Sequence, residues 1–151
     1  MAKATTPEPP RRQGRQEGAE VIETREPEAA TDELAHAVIG AAIEVHRHLG
    51  PGFLEDVYEE ALCVELRLRQ IAFERQKPVK VEYKGEYVGE GRLDLLVGDR
   101  LVVELKEVKA VAPIDHARVI SCLKATGRHL ALLVNFHVPV LKDGIQRIVR
   151  S

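Results

Sequence analysis

Residues Gly91–Lys106, GRLDLLVGDRLVVELK, decide the fold. Two short apolar runs flank Gly98-Asp99-Arg100, a three-residue turn. That loop length makes Val97 face Leu101. Pairing then runs backwards through Leu96 with Val102, Leu95 with Val103, and Asp94 with Glu104. Side chains alternate between the two faces of a strand. Asp94, Leu96, Val102, Glu104 and Lys106 are therefore expected on one face. Leu93, Leu95, Val97, Leu101, Val103 and Leu105 are expected on the other, which is wholly apolar and must be core. Opposed residues sit about 5 Å apart, and like charges there repel. Two carboxylates in that position, with an ammonium two residues on, call for a bound divalent cation.

Outward from this hairpin, Tyr87–Val97 reads as one strand, with Gly89 and Gly91 marking a bend or bulge. Lys84-Gly85-Glu86 turns the chain. Phe73–Tyr83 is extended but contains Pro78, which places it at a sheet edge. Upstream, Leu34, Val38, Ala42, Val45 and Leu49 recur at helical spacing. Thr31 or Asp32 is the expected cap, and Gly50-Pro51 the stop. His46 and His48 fall in the last turn, where positive charge suits the helix dipole. A second helix is expected from Gly52–Leu54 to about Gln70, with Leu54, Val57, Tyr58, Ala61, Leu62 and Leu66 as its apolar face. Downstream, Pro113 opens a third helix over about 114–125, with Val119, Ile120 and Leu123 inward and Gly127 at its end. Leu130–Phe136, LALLVNF, is a near-continuous apolar run suited to a central strand covered on both faces. Ile145–Val149 makes a short last strand. A helix between a hairpin and a further strand predicts an α/β three-layer fold with a mixed sheet.

Residues 1–31 carry Pro7, Pro9, Pro10 and Pro27, mixed charge and few large apolar side chains, and are expected to be a disordered tail. Residues 32–151 form the single expected domain. The formal charge of −2 excludes broad electrostatic attraction to nucleic acid, so any such contact needs a local basic patch. The candidates are Arg47, Arg92, Lys109, Arg118 and Lys124. Cys63 and Cys122 both fall in apolar helical patterns, as buried thiols of a reducing compartment rather than a bridge. No apolar run reaches the roughly 20 residues of a membrane span, and the N-terminus lacks a signal peptide's apolar core. The expected location is the cytoplasm, with no membrane partner.

Asp94, Glu104 and Lys106 follow the spacing D-x9-E-x-K. Alone, E-x-K on a strand reads as a solvated face with a salt bridge. The opposed Asp94 and the apolar neighbours Leu96 and Val102 make the carboxylates half-buried, and buried charge must be paired or bound to metal. Oxygen ligands suit Mg²⁺ or Mn²⁺. Such an ion polarises a phosphodiester and activates water, while Lys106 orients that water and offsets growing negative charge. Glu55, in the first turn of the second helix, satisfies the helix dipole by itself. It becomes a third metal carboxylate if that helix start abuts the hairpin. Tyr58 lies beside it at i+3. The six histidines show no zinc spacing, and no nucleophile elbow or Gly-rich phosphate loop is present. His116 and His137 are weaker candidates for lining the pocket.

Gly52-Phe-Leu-Glu55-Asp-Val-Tyr58 resembles the motif that names the GxxExxY family. The V-H-x-x-L-G-P-G from Val45, R-L-D-L-L-V from Arg92, V-E-L-K from Val103 and L-L-V-N-F from Leu132 are similar to that family in the same order. The resemblance spans about Leu34–Val149 and places the chain with PD-(D/E)XK nucleases. It implies a restriction-endonuclease-like core, with Asp94, Glu104 and Lys106 as the catalytic signature and Glu55 as the helix-borne acid. Metal ligands would be Asp94, Glu104 and Glu55, and substrate contacts Arg118 and Tyr58. The implied partner is nucleic acid, DNA ahead of RNA, with a homodimer left open. Two departures stand out. The Q-x-x-x-Y positions of the third helix hold Arg118 and Cys122, and glycine positions around the late strand hold Ala131 and His137. The competing reading is an inactive nuclease-fold module that binds a protein or nucleic-acid partner.

Overall fold

The structure, a computed structural model, describes residues 28–150. Most of the expected tail lies outside the described residues. Helix α1 spans Ala29–Leu49 and α2 spans Glu55–Leu68. Strands β1 (Phe73–Tyr83), β2 (Glu86–Val97) and β3 (Leu101–Lys106) follow. Then come α3 (Pro113–Thr126), β4 (Leu130–Asn135), a 3-10 turn at Leu141–Gly144 and β5 (Ile145–Val149). The five strands form one sheet in the order β1-β2-β3-β4-β5. Only β3 and β4 run parallel, joined by the α3 crossover, so the sheet is mixed.

Two apolar cores lie on the two faces. Leu95, Val97, Leu101, Val103, Leu105, Leu130, Leu132 and Val134 pack against α1 and α2. Leu93, Leu96, Val102, Ala131, Leu133 and Ile148 pack with Val119 and Leu123 of α3. Every residue of β4 is buried, as the uninterrupted apolar run demands of a strand with a neighbour on each side and helices above and below. β1 lies at the edge, where Pro78 costs no ladder bond.

The hairpin register holds for three pairs, Leu95 with Val103, Leu96 with Val102 and Val97 with Leu101. It does not extend to Asp94 with Glu104. The β1–β2 ladder also opens there: Arg75 pairs with Leu95 and Lys77 with Leu93, but Gln76 and Asp94 have no ladder partner. Gln76 sits at φ 53, in the left-handed region. The strand's alternation flips at this opening. Leu93, expected beside Leu95, packs instead in the α3 layer.

Helix α1 starts two residues earlier than Thr31 with Glu28 as N-cap, so Thr31 and Asp32 lie inside its first turn. Its end carries His46 and His48, and His46 is buried, with Nε2 bonded to the Val138 carbonyl at 2.9 Å. In α2 the expected apolar face is rotated. Leu54 is 79% exposed and Val57 39%, while Glu59 and Cys63 turn inward. The reason is ionic: Glu59 meets Arg75 of β1 at 2.6 Å, which pulls the polar position into the interface. Cys63 and Cys122 are both free thiols.

Candidate active site

Glu104 leaves β3 towards α3, two residues before Lys106, and its neighbours set its charge. Asp94 donates its backbone N–H to Glu104 Oε2 at 3.3 Å. Asp94 Oδ2 in turn accepts the Leu105 N–H at 2.8 Å. The opened ladder at residue 94 is what turns this carboxylate onto the β3 backbone. Burial, then the charge of Asp94, pushes the Glu104 carboxyl up to about 8. The two acids are therefore neighbours, though not as ladder partners.

Lys106 lies in the field of both Glu104 and Glu55. Its nearest ionic contact is Asp115 Oδ1 at 3.5 Å. Asp115 stands in the first turn of α3, where Oδ2 accepts the Ala112 N–H at 2.9 Å and caps the helix. That backbone bond, reinforced by Lys106, holds its carboxyl below the usual range. Arg118 Nη1 reaches the same Asp115 oxygen at 3.7 Å.

Glu55 is the first residue of α2. Its carboxyl is raised, first by burial and then by Asp94, with Lys106 opposing. The charges of Asp94 and Lys106 thus reach this helix start. Among the described residues, however, no three of His, Cys, Asp and Glu converge as a ready ligand group. The donor set that fits a cation is the Asp94–Glu104 pair. Mg²⁺ suits such a set, because it retains several waters and binds through one or two carboxylates with substrate phosphates.

A cavity of about 380 Å³ opens between α3 and the β1–β2 ribbon, with Glu104, Lys106 and Asp115 in its wall. Val79, Val81, Ile114 and Cys122 form apolar sides, and Arg92 and Arg118 add the cations. Cys122 feels the acidic pair: its thiol is pushed up by burial, then by Glu104 and Asp94. Of the five basic candidates, Arg92 and Arg118 line this cavity; Arg47, Lys109 and Lys124 are exposed outside it.

Tyr58, expected as a substrate contact, is placed in the core rather than on the cavity wall. It is fully buried, stacked on Phe136 with centroids 4.4 Å apart. Its hydroxyl donates to the Gly50 carbonyl at 2.5 Å and accepts the Phe53 N–H at 3.1 Å. It clasps the loop that delivers Glu55. His137 pairs with Glu107 at 2.8 Å, and neither it nor His116 lines the cavity. The sequence reading missed Gln76, Glu59, Asp115 and Asn135. Only Asp115 carried a signal, an acid three residues after a helix-opening Ala112-Pro113. Asn135 Oδ1 accepts the N–H groups of Val108 and His137 at 3.1 Å, and Nδ2 donates to the Val108 carbonyl at 2.9 Å. It ties the segment leaving Lys106 to the end of β4.

A mixed sheet between two helical layers, with an acid pair and a lysine on adjoining strands, defines a restriction-endonuclease-like domain. The chain belongs to the PD-(D/E)XK nuclease superfamily, whose family model matches residues 32–148. No curated protein matches it. A solved structure, an alkaline exonuclease (LHK-Exo) from Laribacter hongkongensis, is similar at 15% identity and a TM-score of 0.40, over 85% of this chain and 73% of that one.

Proposed function

We propose that this domain is a metal-dependent phosphodiester hydrolase acting on DNA. The observation that carries the reading is the Glu104 carboxyl, half-buried beside Asp94 and pushed up to about 8, with Lys106 two residues on in the same cavity wall. A half-buried acid pair of this kind is relieved by a cation. Asp94 and Glu104 would hold Mg²⁺ or Mn²⁺, with Glu55 adding a third charge at the recess. When bound, the ion supplies polarisation of the phosphodiester and a lowered pKa for water. Asp94 enters that role already oriented, because the Leu105 N–H fixes one of its oxygens. Lys106 places an ammonium beside the pair, where it orients water and offsets negative charge growing on phosphoryl oxygens. Arg92 and Arg118 contact backbone phosphates at the cavity.

The test is cleavage of plasmid and of oligonucleotide DNA, with RNA as a comparison, in the presence of Mg²⁺. Asp94→Ala and Lys106→Ala should each abolish cutting. Equal activity of wild type and both variants rejects the proposal. One observation favours the second reading, a binding module without catalysis: Lys106 is engaged by Asp115. Wild type that binds DNA, cuts neither polymer and takes up no Mn²⁺ by calorimetry selects that reading.

A further inference from the structure

Gln76 lies where the β1–β2 ladder opens, opposite Asp94. Its backbone takes φ 53, which a side chain other than glycine rarely adopts. The side chain explains the conformation. Nε2 donates to Glu59 at 2.9 Å and 3.0 Å and lies 3.5 Å from Asp94 Oδ1. Glu59 is buried, and its other partner is Arg75 Nε at 2.6 Å. Arg75 also reaches Glu60 at 2.8 Å, and both ion pairs raise the guanidinium's pKa.

A carboxylate only accepts hydrogen bonds when ionised, so Glu59 requires the amide's N–H₂ end and repels its carbonyl. The orientation of Gln76 is therefore set by Glu59, not by Asp94. One amide hydrogen serves Glu59, and the other is left for Asp94. Asp94 thus has a donor for each oxygen: the Leu105 N–H on Oδ2 and the Gln76 amide on Oδ1. Between them they fix the carboxylate's plane.

We infer that Gln76, locked by Glu59, is a positioning residue that fixes the Asp94 carboxylate. The inference builds on the reading of Asp94 and Glu104 as metal ligands. Partners of this kind behind a ligand typically tune metal affinity by about ten- to a hundredfold.

Gln76→Gly separates positioning from folding. Glycine accepts φ 53 freely, so the strand keeps its path while the amide is lost. Two measurements decide. By calorimetry, Gln76→Gly and Glu59→Gln should bind Mn²⁺ about ten- to a hundredfold more weakly than wild type, with thermal stability of the glycine variant retained. By NMR of the metal-free protein, the Gln76 side-chain amide protons should shift on Asp94→Asn and on Glu59→Gln. Wild-type Mn²⁺ affinity in Gln76→Gly overturns the inference, as does a Gln76 amide indifferent to Asp94→Asn. If wild type itself takes up no Mn²⁺, the metal reading falls, and the NMR result alone decides whether Gln76 positions Asp94.

Discussion

At Tyr58 a single oxygen separates a structural role from a functional one. The ring is held by Phe136 and the hydroxyl by Gly50 and Phe53. Tyr58→Phe keeps the ring and strands two backbone groups, so it should cost about 1–3 kcal/mol of unfolding free energy in urea titration. A substrate contact would leave stability unchanged. Spacing placed Tyr58 beside Glu55 correctly. It could not show that the hydroxyl is consumed by the preceding loop, because that contact depends on how residues 50–54 fold back. Glu104 makes a second prediction. Its unfolded carboxyl ionises near 4.5, whereas the folded one holds its proton up to about 8. Between those values the folded state binds more protons, so metal-free stability falls as pH rises through that window and then levels. Glu104→Gln should remove this slope and be more stable than wild type at pH 8. Thermal melts across pH 4–9 in a chelator check both outcomes.

Among the elements, the hairpin register and the apolar β4 were legible because turn length and a two-residue period leave few alternatives. The flip at Asp94 was not. It depends on β1, whose Gln76 leaves the backbone ladder and sends its side-chain amide to Glu59 of α2 and towards Asp94. The rotation of α2 was hidden for the same reason, since Glu59 is inward only because Arg75 and Gln76 wait there. The β4 end is the element most exposed to damage. Asn135 holds the Val108 segment by two bonds and its own exit at His137 by a third, and Asn135→Ala should cost about 2–3 kcal/mol and lower activity by loosening the strand end that carries Lys106. Gly144 is tighter still: a Cβ there would lie 2.1 Å from the Asn135 carbonyl oxygen. Gly144→Ala should lower the melting temperature by several degrees, on the order of 3–5 °C for each kcal/mol lost in a domain of this size.

For the whole molecule, two cores on opposite faces of one sheet make stability and site inseparable. Asp94 lies where β2 passes from one core to the other, between Leu93 and Leu95, with Glu104 beside it on β3. Mg²⁺ bound there should therefore raise the melting temperature of wild type, by about 2.7 kcal/mol of stability at a hundredfold excess over its dissociation constant. Asp94→Ala should show no such rise in a differential scanning fluorimetry titration. Among the described residues no helix is long and apolar enough to cross a membrane. The sheet's first rim is β1, eleven residues bordered on one side only. Pro78 breaks its run of donors, and Glu74, Lys77 and Lys80 crowd it with solvated charge. A second copy cannot readily zip onto such a margin to prolong the sheet. If this domain pairs with a second copy, the twofold contact must be made by helices or loops, and fibril-like stacking through β1 is disfavoured from the outset.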